Sequence, residues 1–176
     1  MRLSRVLLVL GAGGVALAVA GYAYLVTHTF SARATPSALE AFLARNVRRL
    51  ATSPAVRRLK NPVPATPLAI AEARDHFADH CAFCHANDGT GKTAVNEGLY
   101  PPAPDLRDSW TQGLTDGEIF AIIRDGIRFT GMPGWGGEDE ENWKLVLFIR
   151  HLPKLTQEEL QLMEKPNNTE AKHHGH

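Results

Sequence analysis

The chain opens on an uninterrupted apolar run and then changes to helical periodicity. Val6 to Val26 carries no charge over 21 residues, with Arg2 and Arg5 ahead of it. At about 1.5 Å per residue such a helix spans a hydrocarbon core of about 30 Å. Beyond it, Ser37 and Glu40 stand at capping-box spacing, and Leu39, Phe42, Leu43, Val47 and Leu50 recur at roughly helical intervals. Thr66-Pro67 reads as an N-cap and first helical position. Ile70, Ala73, Phe77, Cys81 and Cys84 then fall three or four apart, so one stripe of one helix is predicted to carry them all. Thr115 and Glu118 form a second capping box before Ile119, Phe120, Ile122 and Ile123, and Gly126 supplies a C-terminal cap. Glu138 to Glu141 opens a last long helix, largely apolar from Trp143 to Leu152 and closed by Pro153. No segment sustains period-two alternation, so the expected fold is all-α, without a sheet.

Between these elements lie turns. Asn87-Asp88-Gly89-Thr90-Gly91-Lys92 is turn chemistry; it lacks a preceding strand and the G-x-x-x-x-G-K-[ST] pattern, so it is not a phosphate loop. Pro101-Pro102-Ala103-Pro104 fixes the backbone and frees carbonyls to accept hydrogen bonds.

Composition adds an asymmetry. The 176 residues have zero formal net charge, yet residues 1–62 hold nine bases and one acid, while residues 63–176 hold ten bases and eighteen acids. A basic arm therefore precedes an acidic domain. The predicted organisation is an N-terminal transmembrane anchor (1–27), a basic, partly helical arm and Pro-rich linker (28–65), a compact domain (66–153), and a short C-terminal helix with a His-containing tail (154–176). The length of the apolar run favours an uncleaved anchor over a signal peptide cut near Ala18-Val19-Ala20. Tyr22 and Tyr24 suit an interfacial belt, and the flanking arginines favour an internal N-terminus with the rest of the chain exported. Gly11, Gly13 and Gly14 belong either to a close helix–helix approach or to an ordinary Gly-tolerant span. The arm, with Arg45, Arg48, Arg49 and then Arg57, Arg58 and Lys60, has three readings: a solvated spacer, a helix on anionic headgroups or a partner, or a strap docked on the acidic domain.

The chemistry is concentrated in Cys81-Ala82-Phe83-Cys84-His85. Two thiols three apart, with an imidazole directly after the second, form the C-x-x-C-H pattern of covalent haem attachment. On a helix these positions share a face, so both sulfurs reach the vinyl groups of one porphyrin while the imidazole turns under the iron. Both cysteines of the chain lie here, which leaves no thiol for a second haem or a four-cysteine zinc site. Met132, in Gly131-Met132-Pro133-Gly134-Trp135, comes 47 residues after His85. Its loop setting and soft thioether point to the iron's other axial position; core packing is the ordinary alternative. Met163 lies past Pro153 and is the weaker candidate. A carbonyl of the proline loop is the expected acceptor for the second ring nitrogen of His85. His76 and His80, i and i+4, read as a solvated face rather than a metal site, given Asp75 and Asp79 beside them. His173, His174 and His176 read as part of an unstructured end rather than a metal site.

Taken together, C-x-x-C-H, the proline loop, Thr115 to Arg128, G-M-P-x-W and the W-x-x-V-x-x-I-R helix resemble a class I cytochrome c domain. More narrowly they are similar to the membrane-anchored cytochrome c subunits of bacterial oxidases. The resemblance spans about residues 66–153. It implies three to five helices around one haem c held by Cys81 and Cys84, crossing first and last helices, His85 proximal and Met132 distal, and one-electron transfer without substrate turnover. It further implies redox partner proteins in membrane respiratory complexes, no nucleic acid, and a single-pass protein of the bacterial inner membrane with its haem domain in the periplasm. Two alternatives use the same residues: a haem c subunit fixed in a larger oxidase or reductase, and a haem enzyme or sensor with an open sixth site.

Overall fold

A computed structural model describes residues 2–27 and 31–164; the His-containing tail lies outside the described residues. The chain divides into two compact units, Met1–Ala34 and Thr35–His176. The first is essentially one helix, α1 (Arg2–Thr27), apolar and exposed along its length, with a mean hydropathy of 2.1 over its most apolar stretch. By length and composition it suffices to cross a bilayer.

The second unit is helical throughout its regular structure, and no strand occurs among the described residues. In chain order it holds α2 (Ala38–Ala51), α3 (Pro54–Arg57), α4 (Pro67–His76), α5 (Ala82–His85), α6 (Ser109–Gln112), α7 (Asp116–Asp125), α8 (Asp139–His151) and α9 (Gln157–Glu164). Capping chemistry sets many of the starts. Ser37, Ser53, Thr66, Asp108 and Thr115 each accept a backbone N–H of the next turn. Thr115 and Glu118 complete both halves of a capping box. Ser37 completes only one, because the Glu40 carboxylate accepts instead from the Tyr100 hydroxyl.

The core is a contact between the first and last long helices of the domain, α4 and α8, with α7 against α8. Phe77 and Phe148 meet at 5.1 Å between ring centroids, and Phe120 stacks on Trp143 at 4.1 Å. Val146 and Phe148 are fully enclosed. Burial of each such side chain contributes about 1.5–3 kcal/mol. Met163 joins this core from α9, so it is a packing residue. Polar groups fasten the frame. Lys144 of α8 reaches Glu72 of α4 at 3.0 Å as well as Glu141 of its own helix at 2.9 Å. The Arg150 guanidinium donates to Asp116 at 2.9 Å and to the Gln112 carbonyl at 2.7 Å, tying the end of α8 to the start of α7.

Of the three readings of the basic arm, the structure shows contact with the acidic domain. Arg45 and Arg48 lie over the Trp110 ring at 4.7 and 4.8 Å, and Arg49 approaches Glu118 at 3.9 Å. Asn61 donates to the Trp143 carbonyl at 2.9 Å. The closest fit is at Gly117 in the first turn of α7, where an added Cβ would collide with the Val56 carbonyl oxygen. Backbone passes over backbone there, and only a residue without a side chain permits it. Gly117→Ala is therefore expected to unseat α3. Faster tryptic cleavage after Arg57 or Arg58 checks this, and an unchanged rate would count against it.

Candidate functional site

The residues of the C-x-x-C-H motif do not sit on one regular helix. α4 gives way to a π-helical turn, Phe77–Cys81, before α5. Its signature is the Ala82 N–H bonded to the Phe77 carbonyl, five residues back. A wider turn of this kind inserts one residue and rotates the downstream residues by about 100° relative to a 3.6-residue helix. Phe77 faces the core against Phe148, while Cys81, Ala82, Cys84 and His85 are half-buried beside it. The stripe read from Ile70 to Cys84 thus exists, but with a phase step at the cysteines that i, i+3 and i+4 counting does not reveal.

The turn after the motif is held hard. His85's carbonyl accepts from Gly91 N–H at 2.8 Å, and Cys84's carbonyl from the Thr93 hydroxyl at 3.4 Å. Ala86 ends α5 with φ 60° and ψ 157°. That region is essentially reserved for glycine and costs about 1–3 kcal/mol for other residues. Strain of this kind persists only where the surroundings enforce it, and here it falls on the residue next to His85. Ala86→Gly is expected to raise stability by about 1 kcal/mol, the relief being partly offset by glycine's freedom in the unfolded chain. Thermal unfolding of the two proteins decides this; a lower midpoint for the glycine variant would contradict it.

The proline loop is placed by a residue whose role the sequence does not announce. Asn96 is buried; its side-chain amide donates to the Gly91 and Ala103 carbonyls and accepts from the Ala103 N–H. One amide thereby joins the turn after His85 to the loop that runs to Pro104. No pattern in the sequence marks Asn96, since an isolated asparagine in a turn-rich segment reads as turn chemistry.

Electrostatics fix the protonation of the motif. Burial pushes the Cys81 thiol up to about 12, with Cys84 adding in the same sense. Burial lowers the basicity of His85, opposed by the nearby Pro104 carbonyl. The Pro104 oxygen acts on the ring without closing a hydrogen bond of normal geometry, and His85 Nδ1 is buried with no partner. The site therefore presents a neutral thiol at Cys81 beside Cys84, and an imidazole biased to its neutral, metal-ligating form.

The methionine loop is built against the end of α7. Ile127 N–H donates to the Met132 carbonyl at 3.1 Å, Met132 N–H to the Thr130 hydroxyl at 3.1 Å, Trp135 N–H to the Ile123 carbonyl at 3.0 Å, and Gly136 N–H to the Arg124 carbonyl at 3.0 Å. Met132 itself is half-buried. Trp135 meets His80 of the π turn edge-on at 5.7 Å, which brings this loop against the segment that carries Cys81. His80 and His76 lie 4.9 Å apart by ring centroids, and His76 pairs with Glu141 at 3.6 Å.

This donor set fits a c-type haem. Burial disfavours the thiolate at Cys81 and the imidazolium at His85, and the orphaned His85 Nδ1 stands near the Pro104 carbonyl. Phe83 and Trp135 add exposed apolar surface next to the motif and the methionine loop. The domain is of the cytochrome c type. Residues 68–149 match the family described as cytochrome C oxidase, cbb3-type, subunit III, and this part of the chain is a class I cytochrome c domain. The match runs from α4 nearly to the end of α8 and takes in the cysteine motif, the proline loop and Met132; α1 and the basic arm lie before it. A domain of this type implies covalently bound haem c and suggests haem-based electron transfer.

Proposed function

We propose that this protein is a membrane-anchored c-type cytochrome that carries single electrons between respiratory redox proteins. In this reading Cys81 and Cys84 form the two thioether links, and His85 and Met132 supply the axial ligands. When bound there, the haem provides a one-electron Fe(II)/Fe(III) couple. The protein's part would be to offer His85 and Met132 as ligands to the iron, leaving no place for substrate, and to pack apolar side chains such as Phe77 and Ile123 beside the group. A thioether ligand favours the ferrous state and raises the potential. α1 tethers the domain to the bacterial inner membrane, with the haem domain periplasmic, and keeps it concentrated near membrane complexes.

The observation that carries this reading is the single π-to-α turn bearing Cys81, Cys84 and His85, with a methionine loop packed against it through Trp135. Absorption spectra test it. The oxidised protein is expected to show a weak band near the red end of the visible spectrum, and the reduced protein to resist carbon monoxide. Ready carbon monoxide binding without that band would replace this function with the open-site reading. A second reading, a haem c subunit fixed in a larger oxidase or reductase, draws support from the family's description as an oxidase subunit. Purification in mild detergent separates the two, since a fixed subunit co-elutes with others in constant ratio.

A further inference from the structure

Helix α2 is docked the wrong way round for a helix of its pattern. An amphipathic helix normally turns its apolar stripe to the core. Here Ala41 and Arg48 face the domain, half-buried, and Arg45 and Arg48 lie over Trp110. Leu39, Leu43 and Leu50 stand on the other side, with Phe42 and Val47 on its two flanks, each between 52 % and 83 % exposed. At 100° per residue the Leu39–Leu43–Leu50 ridge points nearly opposite Ala41 and Arg48. The polar attachments hold the roll of the helix, so the apolar face cannot turn inward without breaking them. An apolar face of this kind, broken by the exposed Asn46, marks a surface that something covers.

We infer that α2 lies in the membrane interface, its apolar face embedded at the headgroup–acyl boundary and its arginine face clamping the cytochrome domain. Fourteen residues are too few to span a bilayer but ample for a helix lying in its plane. Aliphatic and aromatic side chains on one face with arginines on the other match that class. The chain supplies the proximity: ten residues join Thr27 to Ala38, a reach of at most about 40 Å. The inference rests on the reading of α1 as a retained anchor. Its consequence is orientation: the domain rides with its Trp110–Glu118 side toward the lipid rather than swinging freely on a tether.

The test uses the mature full-length chain in phosphatidylcholine vesicles, with and without phosphatidylglycerol. Cys81 and Cys84 are consumed in thioether links in the proposed cytochrome, so one introduced thiol labels uniquely; the parent chain serves as the blank. Nitroxides are placed by Leu39→Cys, Leu43→Cys, Val47→Cys and Leu50→Cys, with Ala44→Cys and Ala51→Cys on the flank. Flotation with the vesicles is scored first. On floated protein, the four apolar positions are expected to show oxygen-dominated broadening with helical periodicity, while the flank shows broadening dominated by a water-soluble nickel chelate. Floated protein whose four labels all behave as the flank does overturns the interfacial helix and leaves the anchor standing. Labels shielded from both reagents and broadened by one another place a second copy on this face and likewise overturn it. Failure to float overturns the anchor, and this inference with it.

Discussion

Replacing Met132 with alanine is expected to abolish the red absorption band of the oxidised protein and to lower its reduction potential by on the order of 0.1–0.3 V, within the roughly 0.8 V range that axial ligands span. Ligand chemistry sets the direction. A thioether stabilises ferrous iron; water or an open position does so less. Carbon monoxide binding by the reduced protein should appear at the same time. The substitution leaves the loop itself in place, because its fastenings are the Met132 backbone, Thr130, Trp135 and Gly136. Thermal stability should therefore move far less than the potential. Met163→Ala is the matched control. Met163 is buried in the core, so its loss should destabilise by about 2–5 kcal/mol and leave the band untouched. A spectrum indifferent to Met132→Ala would remove this residue from the site.

Much of the domain's frame is legible in the sequence because capping and periodicity are local. Thr66-Pro67 and Thr115–Glu118 start α4 and α7 as their residues demand. The Trp143-to-Leu152 run is buried as its apolarity implies, with only Lys144, Leu147, Arg150 and His151 partly open. The motif's chemistry is equally local, since attachment depends on residue type and spacing. What is not legible is everything that depends on which face meets what. The periodicity of α2 locates its apolar stripe correctly, but that pattern says nothing of the Trp110 ring that captures Arg45 and Arg48 on the opposite side. The π turn escapes notice because its extra residue arises from how Phe77 and Cys81 must both be served by one element, and no residue type encodes it. Asn96 and Arg150 act through partners far along the chain or in irregular backbone, which pattern reading does not reach.

Gly126→Ala should damage the site from a distance, and its cause is visible in two independent ways. Gly126 ends α7 with φ 70° and ψ −169°, a region that only glycine occupies without strain. An added Cβ would also stand 2.5 Å from Gly134 N, 2.6 Å from the Pro133 carbonyl carbon and 2.8 Å from the Met132 carbonyl oxygen. All three are backbone atoms of the methionine loop, so no flexible side chain can yield. Relief requires the loop to lift from α7, at the expense of the Ile127–Met132 hydrogen bond. Backbone strain of about 1–3 kcal/mol and overpacking of similar size together set an expected loss of about 2–5 kcal/mol. The spectroscopic effect separates positioning from mere instability. At temperatures where the helical circular dichroism is still native, the variant should show a weakened red band and partial carbon monoxide binding, intermediate between the parent and Met132→Ala. If the variant is destabilised but its band keeps full strength, the α7–loop junction supports the fold alone and does not position Met132.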